Sequence, residues 1–120
     1  MILYSKMYPN FLDMATVYTV TRNEKTAKGL YGLYLCVTIG KDRKYYSLKR
    51  YVQPKFWDKD THSVKGREGN SVFLNNYIRD KEKEVMEVFQ YFRIEDKPLT
   101  IETFHNYFKK GGPGYFPQFL

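Results

Sequence analysis

Lysine, arginine and tyrosine side chains are interleaved around one short polar break in the chain. Lys41 and Arg43 lie in the break, and Tyr45, Ser47 and Lys49 follow it at every second position. Alternate residues of an extended strand share one face, cationic side chains neutralise phosphates, and a two-stranded ribbon fits the DNA major groove. This spacing therefore indicates a contact surface for nucleic acid rather than a catalytic centre.

The distribution of charge supports the same chemistry. The 120 residues carry a net charge of +7. Residues 1–66 contain 12 Lys and Arg against 5 Asp and Glu, a difference of +7, whereas residues 67–120 contain 8 of each. A positive excess confined to one half of a chain is expected when one substructure binds a polyanion. Aromatic residues make up 18% of the chain, and the 12 tyrosines among them combine a ring with a hydrogen-bonding hydroxyl.

No constellation of residues predicts catalysis or a bound cofactor. We interpret His62 and His105 as ordinary surface or packing histidines, and Cys36, in the middle of a strand, as a small filler residue. The sequence has no glycine-rich phosphate loop. We therefore expect no enzyme, no metal, no cofactor and no small-molecule substrate. With Cys36 as the only cysteine, a reducing, cytoplasmic location is expected, and no apolar run is long enough to predict a membrane partner.

The hydrophobic pattern predicts an α+β fold in which a three-stranded antiparallel sheet packs on one long helix, followed by a short helix. Gly40 opens a polar break typical of a hairpin, and Asn70 or Ser71 and then Thr100 are candidate helix caps. The predicted elements are strands over Ala15 to Asn23, Tyr31 to Ile39 and Lys44 to Tyr51, and helices over Val72 to Phe92 and Thr100 to Lys110. The segment Lys59 to Gly69 is predicted to be a loop.

This arrangement leaves the second face of the sheet without a cover. The loop between the first two strands and the hairpin after the second strand add cations beside that face. We expect these cations to contact DNA phosphates. The candidate DNA-binding residues are Lys25, Lys28, Tyr34, Cys36, Thr38, Lys41, Arg43, Lys44, Tyr45, Ser47 and Lys49. From the pattern alone, an ordinary solvated sheet face with surface lysines remains an equal alternative.

We divide the chain into a lead-in segment, a binding domain and a C-terminal appendage. The lead-in covers residues 1–14, the β-β-β-α domain covers residues 15–94, and the short helix with a glycine-rich linker covers residues 95–120. The apolar tail from Tyr115 to Leu120 has no predicted partner within the chain.

The segment from Gly29 to Asp58 resembles the arm-type DNA-binding domain at the N-terminus of tyrosine recombinases, the integrases of phages and conjugative transposons. It carries the pattern LYLCVTIGKDRKYYSL followed by VQPKFWD. The series continues with VKG, with NNYI early in the long helix and with DKPLTIETF at the entry to the short one. The resemblance thus spans residues 15–110.

The resemblance implies sequence-specific binding of double-stranded DNA during DNA integration and recombination, with the sheet inserted in the major groove of arm-type sites. It also implies other integrase subunits as protein partners. Cys36 falls where members often carry Arg, so one contact is expected to be missing. The catalytic domain of a recombinase is absent, and YFPQFL resembles the opening of a core-binding domain, so we expect either a fragment or a short relative.

Two other functions are compatible with the residues. A protein-interaction module would dock a partner through a sheet edge or the apolar C-terminal tail. An RNA-binding sheet would stack bases on Tyr34 and Tyr45, although the order of elements differs from that of the common RNA-recognition fold.

Overall fold

A computed structural model describes residues 14–24, 26–66 and 69–110 of the chain. The predicted lead-in up to residue 13, the glycine-rich linker and the apolar tail lie outside the described residues. The strands are β1 (Ala15–Asn23), β2 (Tyr31–Ile39), β3 (Asp42–Val52), β4 (Trp57–Asp58) and β5 (Ser63–Val64), and the helices are α1 (Ser71–Ile94) and α2 (Ile101–Lys109). No helix within these residues is long and apolar enough to cross a membrane.

The α+β fold predicted from the sequence is confirmed. Strands β1, β2 and β3 form an antiparallel sheet in that order, with β2 in the centre. Strand β3 begins two residues earlier than predicted because the hairpin turn contains only Gly40 and Lys41. Gly40 has a φ of 62°, and a positive φ at the first central residue is what a type II′ turn requires.

The described residues form two compact units, and the sheet and α1 contribute to both. The α2 unit comprises residues 14–17, 37–44 and 83–110. The hairpin unit, named after its β4–β5 hairpin, comprises residues 18–24, 26–36, 45–66 and 69–82.

Aromatic packing organises the α2 unit. Phe104 is fully buried, and its ring centroid lies 5.6 Å from that of Phe89. The side chain of Thr100 accepts a hydrogen bond from the backbone N–H of Thr103, which completes the predicted cap of α2. Helix α1 ends where Asp96 adopts a left-handed φ of 54°, and the N–H of Lys97 donates to the carbonyl of Phe92 at 2.9 Å, as in a Schellman motif.

A buried hydroxyl links β1 to α1 in the hairpin unit. Thr19 on β1 is fully buried, and its Oγ1 donates to Oε2 of Glu82 on α1 at 2.7 Å. Arg79 completes this network, since its Nη1 lies 2.6 Å from Oε1 of Glu82 and its Nη2 donates to the carbonyl of His62 at 2.9 Å. The network attaches both β1 and the β4–β5 connection to the first half of α1.

The predicted loop over Lys59 to Gly69 contains a short strand, β5, which pairs with β4 just before the loop. Strands β4 and β5 pair antiparallel, with Trp57 opposite Val64. Oδ1 of Asp58 accepts hydrogen bonds from the N–H of Asp60 at 2.9 Å and of Thr61 at 3.2 Å, and these bonds lower the pKa of Asp58. A two-residue strand is too short to show alternation, so hydrophobic periodicity could not reveal it.

The side-chain amide of Asn75 on α1 binds the backbone of β5. The N–H of Val64 donates to Oδ1 of Asn75 at 2.8 Å, and Nδ2 of Asn75 donates to the carbonyl of Val64 at 3.0 Å. The amide therefore forms the same pair of bonds that a neighbouring strand would form. This pairing attaches the short hairpin to the helix.

Replacing Asn75 with Asp should destabilise the protein by about 1–3 kcal/mol, because a carboxylate cannot donate to the carbonyl of Val64. The matched control is Asn76→Asp, which adds the same charge one residue later at an exposed position. Urea denaturation of both variants measures the difference. Equal stabilities for the two variants would contradict the role of Asn75.

Candidate nucleic-acid interface

One face of the sheet in the hairpin unit presents an arginine between two tyrosine rings. The Cζ atom of Arg22 on β1 lies 5.2 Å from the ring centroid of Tyr34 on β2 and 5.1 Å from that of Tyr45 on β3. All three strands therefore contribute to one cation–aromatic cluster. We call this surface, completed by Tyr51, the arginine–tyrosine face.

The alternation of side chains explains why this face is open. Leu33 and Leu35 flank Tyr34 along β2 and are 0% and 2% exposed, so they lie on the opposite side of the sheet. Thr19 lies three residues before Arg22, and its bond to Glu82 places that opposite side against α1. Tyr45 and Tyr51 are 41% and 44% exposed. The helix covers one side, and the tyrosines remain accessible on the other.

An acidic side chain also belongs to the arginine–tyrosine face. The hydroxyl of Tyr34 donates a hydrogen bond to Oε2 of Glu24. The carboxylate lies over the backbone of Gly32, since a Cβ atom at that glycine would stand 2.6 Å from Oε2. The bond to Glu24, partial desolvation and the charge of Glu24, in that order, raise the pKa of Tyr34, while Arg22 acts in the opposite direction.

Alternation along β3 predicts Ser47 and Lys49 on the same side as Tyr45. Both are exposed. The N–H of Lys49 donates to Oγ of Ser47 at 3.1 Å, and Lys49 has a left-handed φ of 56°. Left-handed backbone is uncommon for a residue with a side chain. The backbone at Lys49 therefore departs from regular strand geometry.

Lys28 lies beside a shallow groove of the hairpin unit. The groove is lined by Lys28, Gly29 and Leu30 on one side and by Gln53, Pro54 and Lys55 on the other. Lys28 and Lys55 are both exposed. Two ammonium groups at one groove suit contact with a phosphate backbone. Lys25, predicted to act with Lys28, lies outside the described residues.

The remaining predicted cations belong to the α2 unit. Lys41 and Arg43 are exposed in the turn and at the start of β3, and Thr38 is half-buried near the end of β2. Lys44 alternates with Tyr45 and therefore points to the other side of the strand. Partial burial and then the charges of Lys44 and Lys109 lower the pKa of His105 on α2. Lys44 thus lies on the α2 side, which corrects its expected place beside Tyr45.

The expectation that Cys36 is accessible was also wrong. Its position in β2 has the same parity as that of Tyr34, yet the residue is only 1% exposed. Strand β2 is the central strand, so a side chain as short as that of cysteine has a neighbouring strand on each side. Alternation predicts the side of the sheet that a residue faces, but side-chain length decides whether solvent reaches it.

Three members of the face were missed by reasoning from the sequence. Arg22, Glu24 and Tyr51 were assigned only to strand ends or to a loop. The order β1-β2-β3 brings Arg22 next to Tyr34 and Tyr45, and a strand order is a long-range property. One signal in the sequence could have identified Arg22. It follows Thr19 by three residues, so the two side chains lie on opposite sides of β1.

This surface offers planar rings, one guanidinium, hydroxyl donors and one carboxylate, which is chemistry for recognition. Among the residues that the structure describes, no group of three His, Cys, Asp or Glu residues is placed to hold a metal ion.

The sequence profile of one protein family matches residues 19–105, and its description is Arm DNA-binding domain. The matched range includes every residue of the arginine–tyrosine face. No curated protein and no solved structure gives a significant match to the chain.

Replacing Glu24 with Ala should lower the pKa of Tyr34 toward its ordinary value of 10.0, because the hydrogen bond and the charge that raise it are both removed. The measurement is a pH titration by NMR of ring-labelled tyrosine, with the resonance assigned through Tyr34→Phe. Glu102→Ala on α2 makes the same change in net charge and should leave the pKa of Tyr34 where it is. An unchanged pKa in Glu24→Ala would exclude the hydrogen bond.

Proposed function

The chain belongs to the arm DNA-binding domain family, the arm-type domain of tyrosine recombinases, and on this premise we propose that it binds double-stranded DNA sequence-specifically through the arginine–tyrosine face. Domains of this family bind DNA in site-specific recombination, and such a domain alone is not catalytic. In our proposal the sheet enters the major groove, where each base pair presents a distinct pattern of donors and acceptors.

The observation that carries the proposal is the placement of Arg22 between Tyr34 and Tyr45 on the open side of a sheet whose other side is covered. The two rings hold the guanidinium by cation–π attraction. A planar guanidinium held in place suits a bidentate contact with guanine O6 and N7, the commonest specific contact to a base. The tyrosine hydroxyls add further groups able to reach base edges.

Flanking cations supply the affinity that does not depend on sequence. Lys49 is exposed on β3, and Lys28 and Lys55 are exposed along the groove that they line. Contacts between such side chains and phosphates fix the register of a protein on the duplex without distinguishing bases. The hairpin unit therefore combines a surface for bases with cations for the backbone.

We further assign this binding to arm-type sites of an integrase, away from the point of strand exchange. The cleavage chemistry would then belong to a separate catalytic domain, and other integrase subunits would be the protein partners. The support is the family to which the chain belongs.

Binding to duplex DNA should weaken steeply with salt. If about six phosphates are neutralised, log K should fall against log salt concentration with a slope of about −5. Fluorescence anisotropy with DNA from the flanks of the encoding element measures this slope, and shuffled DNA of equal length measures the part that does not depend on sequence. Affinity that is absent, or unaffected by salt, would overturn the proposal.

Charge reversal at Lys49 should reduce DNA affinity about 10-fold or more, as expected when a charge-assisted hydrogen bond worth about 1.5–3 kcal/mol is lost. The slope against salt should also become shallower by about 1. Lys44→Glu is the matched control because it makes the same change on the same strand but on the α2 side. A larger effect from Lys44→Glu than from Lys49→Glu would exclude the arginine–tyrosine face as the contact. Circular dichroism checks that both variants fold.

A further inference from the structure

We infer that Glu24 is a specificity-determining residue which accepts a hydrogen bond from the exocyclic amino group of a cytosine in the major groove. This inference rests on the proposed function and adds to it the base that one side chain selects. It assigns a DNA-facing role to the acidic group of an otherwise cationic surface.

The carboxylate of Glu24 is held on the open face by two independent features. The hydroxyl of Tyr34 donates to Oε2, which ties the carboxylate to a ring that already contacts Arg22. Gly32 provides the space, because the carboxylate occupies the volume that any Cβ atom at that position would need. Glu24 nevertheless remains exposed. Its position is therefore fixed without being enclosed.

The chemistry of an ionised carboxylate restricts what it can meet in DNA. It only accepts hydrogen bonds, and two oxygens provide about four lone-pair sites, so the single bond from Tyr34 leaves capacity for another donor. Phosphates, guanine O6 and N7, and thymine O4 are acceptors and are repelled. Among base edges in the major groove, only cytosine N4 and adenine N6 donate.

The atom next to the amino group favours cytosine over adenine as the partner of Glu24. Adenine presents the N7 acceptor beside its amino group, whereas cytosine presents no acceptor there within the same base. A carboxylate close to adenine N6 would also approach the lone pair of N7. Glu24 thus attracts one base and disfavours the others, and a repulsive element of this kind is a common basis of specificity.

Two variants separate the charge of Glu24 from its position. Glu24→Gln keeps the size of the side chain but gives it a donor as well as an acceptor. Gly32→Ala keeps the charge and displaces the carboxylate, and it should leave the backbone in place because the atoms nearest the added Cβ belong to the end of the flexible Glu24 side chain. Glu102→Gln on α2 is the control for net charge.

The experiment selects preferred sequences from a pool of duplexes with a randomised segment of about 20 base pairs, two turns of DNA, using the full chain and each variant. The unchanged chain should select cytosine at one position and bind a duplex with that base pair changed to T·A at least about 5-fold more weakly. Glu24→Gln should change the preference at that position toward adenine, since glutamine pairs with adenine N6 and N7. Gly32→Ala should weaken the cytosine preference, and Glu102→Gln should leave it unchanged.

Several results would overturn the inference. If the unchanged chain binds a defined sequence and both Glu24→Gln and Gly32→Ala select that same sequence, Glu24 has no role in choosing a base. If Glu24→Gln alters preferences at every position equally, the residue acts through the fold. If the unchanged chain binds no duplex at all, the proposed function fails, and this inference fails with it.

Discussion

The two-residue alternation of the central strand is the constraint on which both the fold and the interface depend. Leu33 and Leu35 must be buried for the hairpin unit to have a core, and burial of such side chains contributes about 1.5–3 kcal/mol each. The same requirement forces Tyr34 to the opposite side of β2. A shift of one residue in strand register would exchange these sides and destroy core and interface together. The position of the tyrosine is therefore as strongly specified as the core itself.

A buried polar contact imposes the same constraint on β1, which is an edge strand. Thr19 is fully buried and would leave its hydroxyl without a partner if Glu82 were absent, at a cost of about 1–3 kcal/mol. The bond fixes the side of β1 that faces α1. Because Arg22 follows Thr19 by three residues, its guanidinium must leave the strand on the side of Tyr34. The network of Thr19, Glu82 and Arg79 thus supports the interface from the other side of the sheet, without touching it.

Local patterns predicted most of the fold and less of the site. The bounds of β1 follow from its residue composition, those of β2 from alternation, and the cap of α2 from the hydroxyl residue Thr100. The sequence could not show the Arg22 contacts, because they depend on which strands are neighbours, or the β4–β5 hairpin, because it is stabilised by Asn75 from a distant helix. It also misplaced Cys36 and Lys44. Periodicity assigns each residue to a side of the strand, but it does not say how deeply a side chain as short as that of Cys36 lies between its neighbours. Lys44 was grouped with the other cations around the turn, although alternation places it on the opposite side of the strand from Tyr45.

Lys49 has a left-handed backbone conformation within β3. A non-glycine residue in this conformation costs about 1–2 kcal/mol, and glycine would adopt it without that penalty. The strand nevertheless has lysine there, and its N–H is satisfied by Ser47, so the local geometry is stabilised by its neighbour. Retaining a cation at a strained position is understandable if the charge has to leave the sheet in one direction. In the same way, a carboxylate beside Arg22 reduces attraction to any polyanion, and its presence is understandable if the surface distinguishes sequences. Both features favour selective recognition over tight binding to every duplex.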